Sequence, residues 1–187
     1  MAHIKLNNEQ LPGIVGLLDY SPATAAPLTA LADALLVADS TLTKAERELI
    51  AASVSYWNGC HFCHTSHAAI AVAHFKSDIS LIDDIKKGLP HTDVSDKLRA
   101  LLHIAHQVQK GGKHVTEEDI TAARKTGATD KEIHDTVLIA AAFCMYNRYV
   151  DGLGTWAPAK NEEYIEMGQA IAQRGYSVAV PQEAAVF

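Results

Sequence analysis

Three cysteines in 187 residues are too few, and too odd in number, to build a disulfide framework. Aromatic residues make up only 6% of the chain. The alternating pattern of a half-buried strand is nearly missing, with Ser177-Val178-Ala179-Val180 the single candidate. No apolar run is long enough to cross a bilayer. The opening Met1-Ala2-His3-Ile4-Lys5 lacks the apolar stretch of a signal peptide, so a cytoplasmic location is expected. Positive charge is scarce as well: 16 Lys and Arg against 22 Asp and Glu leave a net charge of −6. That balance argues against nucleic acid and anionic membrane as partners. What is present is ordinary for a globular protein, 48% hydrophobic and 20% charged. The length suits one domain over residues 1–187 with a real core.

Nearly everything regular reads as helix. Residues 1–25 read as irregular, with Pro12-Gly13, Pro22 and Pro27 as breakers. The helical core is expected over about 26–172, and the tail over 175–187 reads as loose. An Ala- and Leu-rich stretch from Leu28 to Ala38 fits a helix. Thr43-Lys44-Ala45-Glu46 is a capping-box pattern opening the next, which runs to Trp57 and stops at Asn58-Gly59. A further helix starts near Cys60 and reaches about Phe75. Helices follow over Asp78–Lys87 and Val94–Gln109, from Thr116 to Gly127, from Thr129 to about Leu153, and near Glu162–Gln173. The fold class is all-α.

The chemistry concentrates in one helix. Cys60, Cys63 and His67 stand at i, i+3 and i+7, a single helical stripe. Positions three apart have α-carbons roughly 5–6 Å apart, within the range a disulfide tolerates. A first-turn location offers free backbone N–H groups and the positive end of the helix dipole, both favouring thiolate. His67 can take and return a proton nearby. Glu48 lies on the preceding helix, on a face with Ala52, Ser55 and Gly59 that leads to the cysteine turn, where it could hold His67 in one tautomer. An arbitrary helix glutamate is otherwise a solvated charge. Two sulfurs able to bridge, with groups able to move their protons, form a thiol redox site.

Other readings compete for these residues. Cys60, Cys63 and His67 could bind zinc, with His61, His64 or Cys144 as fourth ligand, although zinc sites usually draw on two separated segments. Cys60-His61-Phe62-Cys63-His64 also matches the c-type haem attachment pattern, which normally requires export. A thioredoxin-like fold is excluded because its βαβ pattern is absent. His61 and His64 are expected to face solvent or a neighbouring subunit. Cys144, in the apolar run Ile139–Phe143, reads as a buried, inert thiol. Glu132 precedes Cys144 by the interval that separates Glu48 from Cys60, and Phe143-Cys144 echoes Phe62-Cys63. The second copy lacks the partner cysteine and the histidine, and chance readily produces a match this short. Spacing alone leaves open which sulfur of the pair attacks.

The stretch Leu42-Thr43-Lys44-Ala45-Glu46-Arg47-Glu48-Leu49-Ile50 through Cys60-His61-Phe62-Cys63-His64-Thr65-Ser66-His67 resembles the alkylhydroperoxidase AhpD-like core of the carboxymuconolactone decarboxylase superfamily. Leu11-Pro12-Gly13-Ile14, Pro27-Leu28 and the run Asn147–Gly154 resemble its peroxidase-related branch. The resemblance covers roughly residues 10–170. It implies an all-helical bundle assembling into trimers or hexamers, and reduction of a hydroperoxide substrate without a bound cofactor or metal. It further implies that Cys63 attacks the peroxide, that Cys60 resolves it, and that Glu48 and His67 relay protons. An external dithiol or disulfide-reductase donor would restore the pair. One position departs from the pattern: Phe62 stands where the best-known relatives carry a functional histidine, and His61, about 100° away around a helix, does not inherit that role. The founding decarboxylases lack the cysteine pair, which argues against lactone decarboxylation. The alternatives carried forward are a zinc-bound or redox-sensing helical module and a cofactor-free decarboxylase or isomerase on the same scaffold.

Overall fold

The computed structural model describes residues 2–75 and 94–176. Among them are eight α-helices, a short 3-10 turn and no strand, so the fold is all-α. The helices are α1 (Gly13–Tyr20), α2 (Pro22–Leu36), α3 (Lys44–Trp57), α4 (His61–Phe75), α5 (Asp96–Lys110), α6 (Glu117–Lys125), α7 (Asp130–Leu153) and α8 (Asn161–Arg174). The helix expected over Asp78–Lys87 and the strand candidate Ser177–Val180 lie outside the described residues. No described helix is long and apolar enough to cross a membrane.

The capping signals act as the sequence implies. Thr43, Thr116 and Thr129 each accept from the backbone N–H three residues on, and Glu46, Asp119 and Glu132 return the bond to the cap's own N–H. Ser95 caps α5 in the simpler one-way form.

The beginning of the chain corrects the sequence reading, because residues 13–20 are helical rather than irregular and the helix expected from Leu28 begins already at Pro22 and ends at Leu36. Pro22 occupies the first helical position of α2, where its missing N–H has no intrahelical acceptor to lose. Pro27 lies inside the same helix and forfeits one ladder bond. Two prolines therefore act here as a starter and a tolerated defect. The segment before α1 is strapped to the end of α7: His3 N–H donates to Leu153 O at 2.7 Å, Gly13 N–H to Trp156 O at 2.8 Å, and Trp156 Nε1–H to Glu9 O at 2.9 Å.

Helix α3 runs through the middle of the bundle. It forms a hairpin with α4 and also packs on α2, α5 and α7. Every residue from Arg47 to Ser55 is buried, the pattern of a helix enclosed on all sides. Enclosure forces its polar residues to find internal partners. Arg47 Nη1 donates to Leu35 O, Ser53 to Leu49 O, and Ser55 Oγ accepts from Asn147 Nδ2. Glu48 is the remaining charged group on this stretch, and its partners lie on α4 and beyond α8.

The apolar interior has two parts. The larger joins α2, α3, α5 and α7 around Leu49, Ile50, Leu101, Leu102, Ile139 and Phe143. The smaller gathers Leu6, Leu17, Cys60, Phe62, Cys63, Val150 and Tyr164. The cysteine turn is thus walled by the chain's beginning, α8 and the end of α7.

Candidate active site

The site starts at a turn. Gly59 has φ +77°, a left-handed conformation suited to glycine, and it ends α3 as the Asn58-Gly59 signal predicts. Cys60 follows, and its carbonyl accepts from His64 N–H at 3.0 Å, the first bond of α4. Cys60 therefore caps the helix and Cys63 sits within its first turn. The Cys63 backbone N–H donates to the Cys60 sulfur, as it would to a capping hydroxyl.

The two sulfurs differ in setting. Both cysteines are reduced, with exposures of 0% for Cys60 and 3% for Cys63. Cys63 lines a cavity of about 320 Å³ and Cys60 does not. Hydrogen bonding between the thiols is the main force raising the Cys60 pKa far above the ordinary thiol value, and burial adds to it. Asp151, on the last turn of α7, is a second acceptor for the Cys60 thiol and pushes the same way. Cys60 is thus held as a proton-bearing thiol beneath Cys63. A thiolate-favouring helix start does not hold for Cys60, because the cap position is dominated by its neighbour.

His67 lies one turn beyond Cys63 on the same cavity wall. Its Nδ1 is 2.8 Å from Glu48 Oε2. A carboxylate oxygen can only accept, so the proton is on Nδ1 and Nε2 is left as the basic nitrogen. Glu48 is 1% exposed, which excludes the solvated-charge alternative. The edge of Phe143 meets the His67 ring with centroids 4.5 Å apart, fixing its plane.

Tyr176 is a third member of this cluster. Tyr176 belongs to the tail that reads as loose, yet its hydroxyl donates to Glu48 Oε1 at 2.6 Å and lies 3.1 Å from His67 Nδ1. Its backbone N–H donates to Asp33 Oδ1 at 2.9 Å, anchoring it to α2. Burial, reinforced by the neighbouring Glu48 carboxyl, raises the phenol pKa well above its usual value, so it remains a donor. No local pattern marks it: it stands after Gly175, two residues past the last helix.

The remaining candidates lie elsewhere. His61 is exposed, edge-on to Tyr164. His64, expected at the surface, is buried instead, with Nδ1 3.0 Å from Ala52 O across the hairpin. It faces α3 because it follows Cys63 by one position, about 100° around the helix. Cys144 is partly rather than fully buried and accepts a long 3.6 Å contact from Asn58 Nδ2. Among the described residues no group of three or more His, Cys, Asp or Glu side chains is arranged to hold a metal. Phe62, which replaces a histidine of the resembling family, packs against Tyr164 and Gly13. Gly13 has φ +52°, and a β-carbon there would fall 2.2 Å from the Phe62 ring. The Leu11-Pro12-Gly13-Ile14 motif thus serves to bring α1 against the cysteine helix.

The cavity is walled mainly by apolar side chains, among them Ile14, Leu18, Leu28, Ile70, Phe143 and Ile171. Its chemically active lining is Cys63, His67 and Tyr176.

Residues 22–83 match the Carboxymuconolactone decarboxylase family. No curated protein matches the sequence. Among solved structures, an uncharacterized peroxidase-related protein from Ralstonia eutropha, described as an alkylhydroperoxidase AhpD core, superposes with a TM-score of 0.78 at 26% identity, covering 90% of this chain and 96% of that one. An uncharacterized peroxidase-related protein from Silicibacter sp. gives a TM-score of 0.73 at 26% identity, over 82% of this chain and 78% of the other. A protein of unknown function from Agrobacterium tumefaciens shares the fold, with a TM-score of 0.69 at 21% identity over 79% of this chain and 99% of its own.

Proposed function

Because this chain belongs to the AhpD-like and carboxymuconolactone decarboxylase superfamily, we propose that it is a thiol peroxidase that reduces organic hydroperoxides through a Cys60–Cys63 disulfide. The observation that carries this reading is the asymmetry of the two sulfurs. Cys63 faces a cavity beside His67, while Cys60 is sealed behind it and hydrogen-bonded to it. The accessible sulfur is the attacking one, and this reasoning is independent of the family's assignment.

The reaction follows from those positions. His67 Nε2 takes the Cys63 proton, and the imidazolium is stabilised through Nδ1–H by Glu48. The thiolate attacks the terminal oxygen of R–O–O–H. Sulfur supplies the electron pair, the O–O bond breaks, and the departing alkoxide takes the proton from His67 to leave as R–OH. Cys63 becomes a sulfenic acid. The Cys60 sulfur then attacks the Cys63 sulfur, displacing hydroxide, which leaves as water with the Cys60 proton. An external dithiol reduces the resulting bridge by exchange and becomes a disulfide itself. The apolar cavity favours hydroperoxides carrying an alkyl or aryl body over hydrogen peroxide.

Thiol counting by mass spectrometry tests this directly. One equivalent of an organic hydroperoxide should consume two thiols per chain and join Cys60 to Cys63. Cys60→Ser should stop at a Cys63 sulfenic acid, and Cys63→Ser should consume no peroxide. Two free thiols persisting at this pair after peroxide treatment would overturn the proposal.

A further inference from the structure

We propose that Tyr176 is a positioning residue of the proton relay, its hydroxyl clamping the Glu48 carboxylate so that His67 keeps its proton on Nδ1 and its free nitrogen for Cys63. The proposal deepens the peroxidase reading and rests on it for the chemistry, but the clamp itself is a matter of geometry. Three contacts close a ring: Tyr176 Oη to Glu48 Oε1 at 2.6 Å, His67 Nδ1 to Glu48 Oε2 at 2.8 Å, and Tyr176 Oη to His67 Nδ1 at 3.1 Å. A phenol has one proton. The shortest of these contacts runs to a carboxylate that can only accept, so that proton is committed to Glu48. The Nδ1–H is then shared between Glu48 Oε2 and the phenol oxygen. With both Glu48 oxygens occupied, the carboxylate cannot rotate away from the imidazole.

Two further contacts hold the tyrosine in place. Its ring stacks on His67 with centroids 5.8 Å apart and an interplanar angle of 26°. Asp33 Oδ1 accepts its backbone N–H at 2.9 Å, directly after Gly175, whose φ of +79° turns the chain inward from α8. Tyr176 therefore joins α2, α3 and α4 at the site from a segment outside all the helices. It lines the cavity with Cys63 and His67, but it acts on the reaction only through Glu48 and His67.

The groups that bear on this cluster are few. Arg47 on α3 and His74 on α4 interact electrostatically with Glu48, and Asp33 on α2 and Tyr146 on α7 with Tyr176. None of them replaces the phenol as a donor to Glu48 Oε1, so its removal leaves that oxygen without its donor.

Tyr176→Phe deletes the hydroxyl and keeps the ring. Wild type and variant are compared by the rate of Cys60–Cys63 bridge formation across pH under single turnover, and by nitrogen NMR of the His67 ring. The variant should fold, with a melting temperature lowered by about 5 °C. Its limiting rate should fall about tenfold with half-saturating peroxide concentration unchanged. Losing the phenol loosens the hold on the His67 proton, so the rate profile across pH should differ from that of the wild type. The His67 signals should show reduced preference for the Nδ1-protonated tautomer. A wild-type rate, profile and tautomer ratio in Tyr176→Phe would overturn the inference. If the wild type itself forms no bridge with peroxide, the peroxidase reading falls, and the NMR comparison alone decides the clamp. Asp33→Ala provides the second variant, since it removes the backbone anchor and leaves every relay atom intact. It should shift tautomer and rate in the same direction by a smaller factor, and an unshifted tautomer ratio there would equally count against the clamp.

Discussion

Two glutamates of this chain sit in nearly identical sequence positions and do different things. Glu48 and Glu132 each precede a cysteine by the same interval, and each is almost fully buried, at 1% and 2% exposure. Glu132 lies in the first turn of α7, where it answers the Thr129 cap and binds Lys97 Nζ at 2.8 Å. Its partners are a backbone N–H, a hydroxyl and an ammonium, none of which exchanges protons readily near neutrality. Glu48 lies in the second turn of α3, past the capping positions, and its partners are an imidazole and a phenol beside a cavity. Burial of a carboxylate is thus no mark of function. What separates the two is whether the partners can pass a proton on, and whether they face space where a substrate fits.

Replacing each glutamate sharpens that contrast. Glu48→Gln keeps an acceptor for His67 but removes the charge that stabilises an imidazolium. Peroxide-driven bridge formation should fall by roughly 10²–10⁴, while the melting temperature stays close to the wild-type value. A loss in stability with retained rate would turn the assignment around and make Glu48 the structural member of the pair.

Glu132 should behave in the opposite way. Glu132→Ala removes the return bond of the capping box and leaves Lys97 unpaired, at a cost of about 1–2 kcal/mol in unfolding free energy, with the bridge-forming rate unchanged. Acid provides a second readout. Burial works against ionisation of Glu132, but Lys97 and Thr129 outweigh it and hold the carboxyl below its ordinary value of 4.5. Asp135 follows the same pattern, with burial opposed by Lys131, His134 and Ser40. A carboxyl whose folded pKa is depressed contributes stability above its unfolded pKa, and loses that contribution as pH falls through the folded value. Denaturation midpoints should therefore decline as pH drops below the ordinary carboxylate range. Glu132→Gln should flatten that decline, and Glu48→Gln should leave this contribution in place.

The sequence carried these two regions unequally. The Thr129-to-Glu132 and Thr43-to-Glu46 boxes are local chemistry, written within four residues, and they are found where expected. The meeting of Glu48 with His67 crosses one short hairpin, so helix spacing and a glycine stop suffice to suggest it. Tyr176 reaches Glu48 across 128 positions of chain, and nothing near it in sequence reports that fold-back. The helix at residues 13–20 and the start of the next one at Pro22 are hidden for a different reason. Proline reads as a breaker until its position in the helix is known, and at the first turn of α2 it is a starter. His64 reads as exposed because it sits amid polar residues, and only the hairpin's crossing shows that its Nδ1 meets Ala52 O.

The smallest expected effect belongs to the two cysteines that end the parallel. Cys60 and Cys144 follow their glutamates at the same interval, but Cys144 has no second cysteine on its helix. Its thiol accepts the 3.6 Å approach of Asn58 Nδ2, and that amide also donates to Asn147 Oδ1 at 2.8 Å. Removing the thiol therefore leaves Asn58 with its better partner. Cys144→Ala should cost no more than about 1 kcal/mol and leave the rate of peroxide consumption unaltered. It should also change the thiol count in a defined way. The wild type should keep one alkylatable thiol after a single equivalent of peroxide, whereas Cys144→Ala should keep none. A residual thiol in that variant would mean that Cys60 and Cys63 do not close on each other, and the contrast between the two glutamate–cysteine pairs would lose its chemical basis.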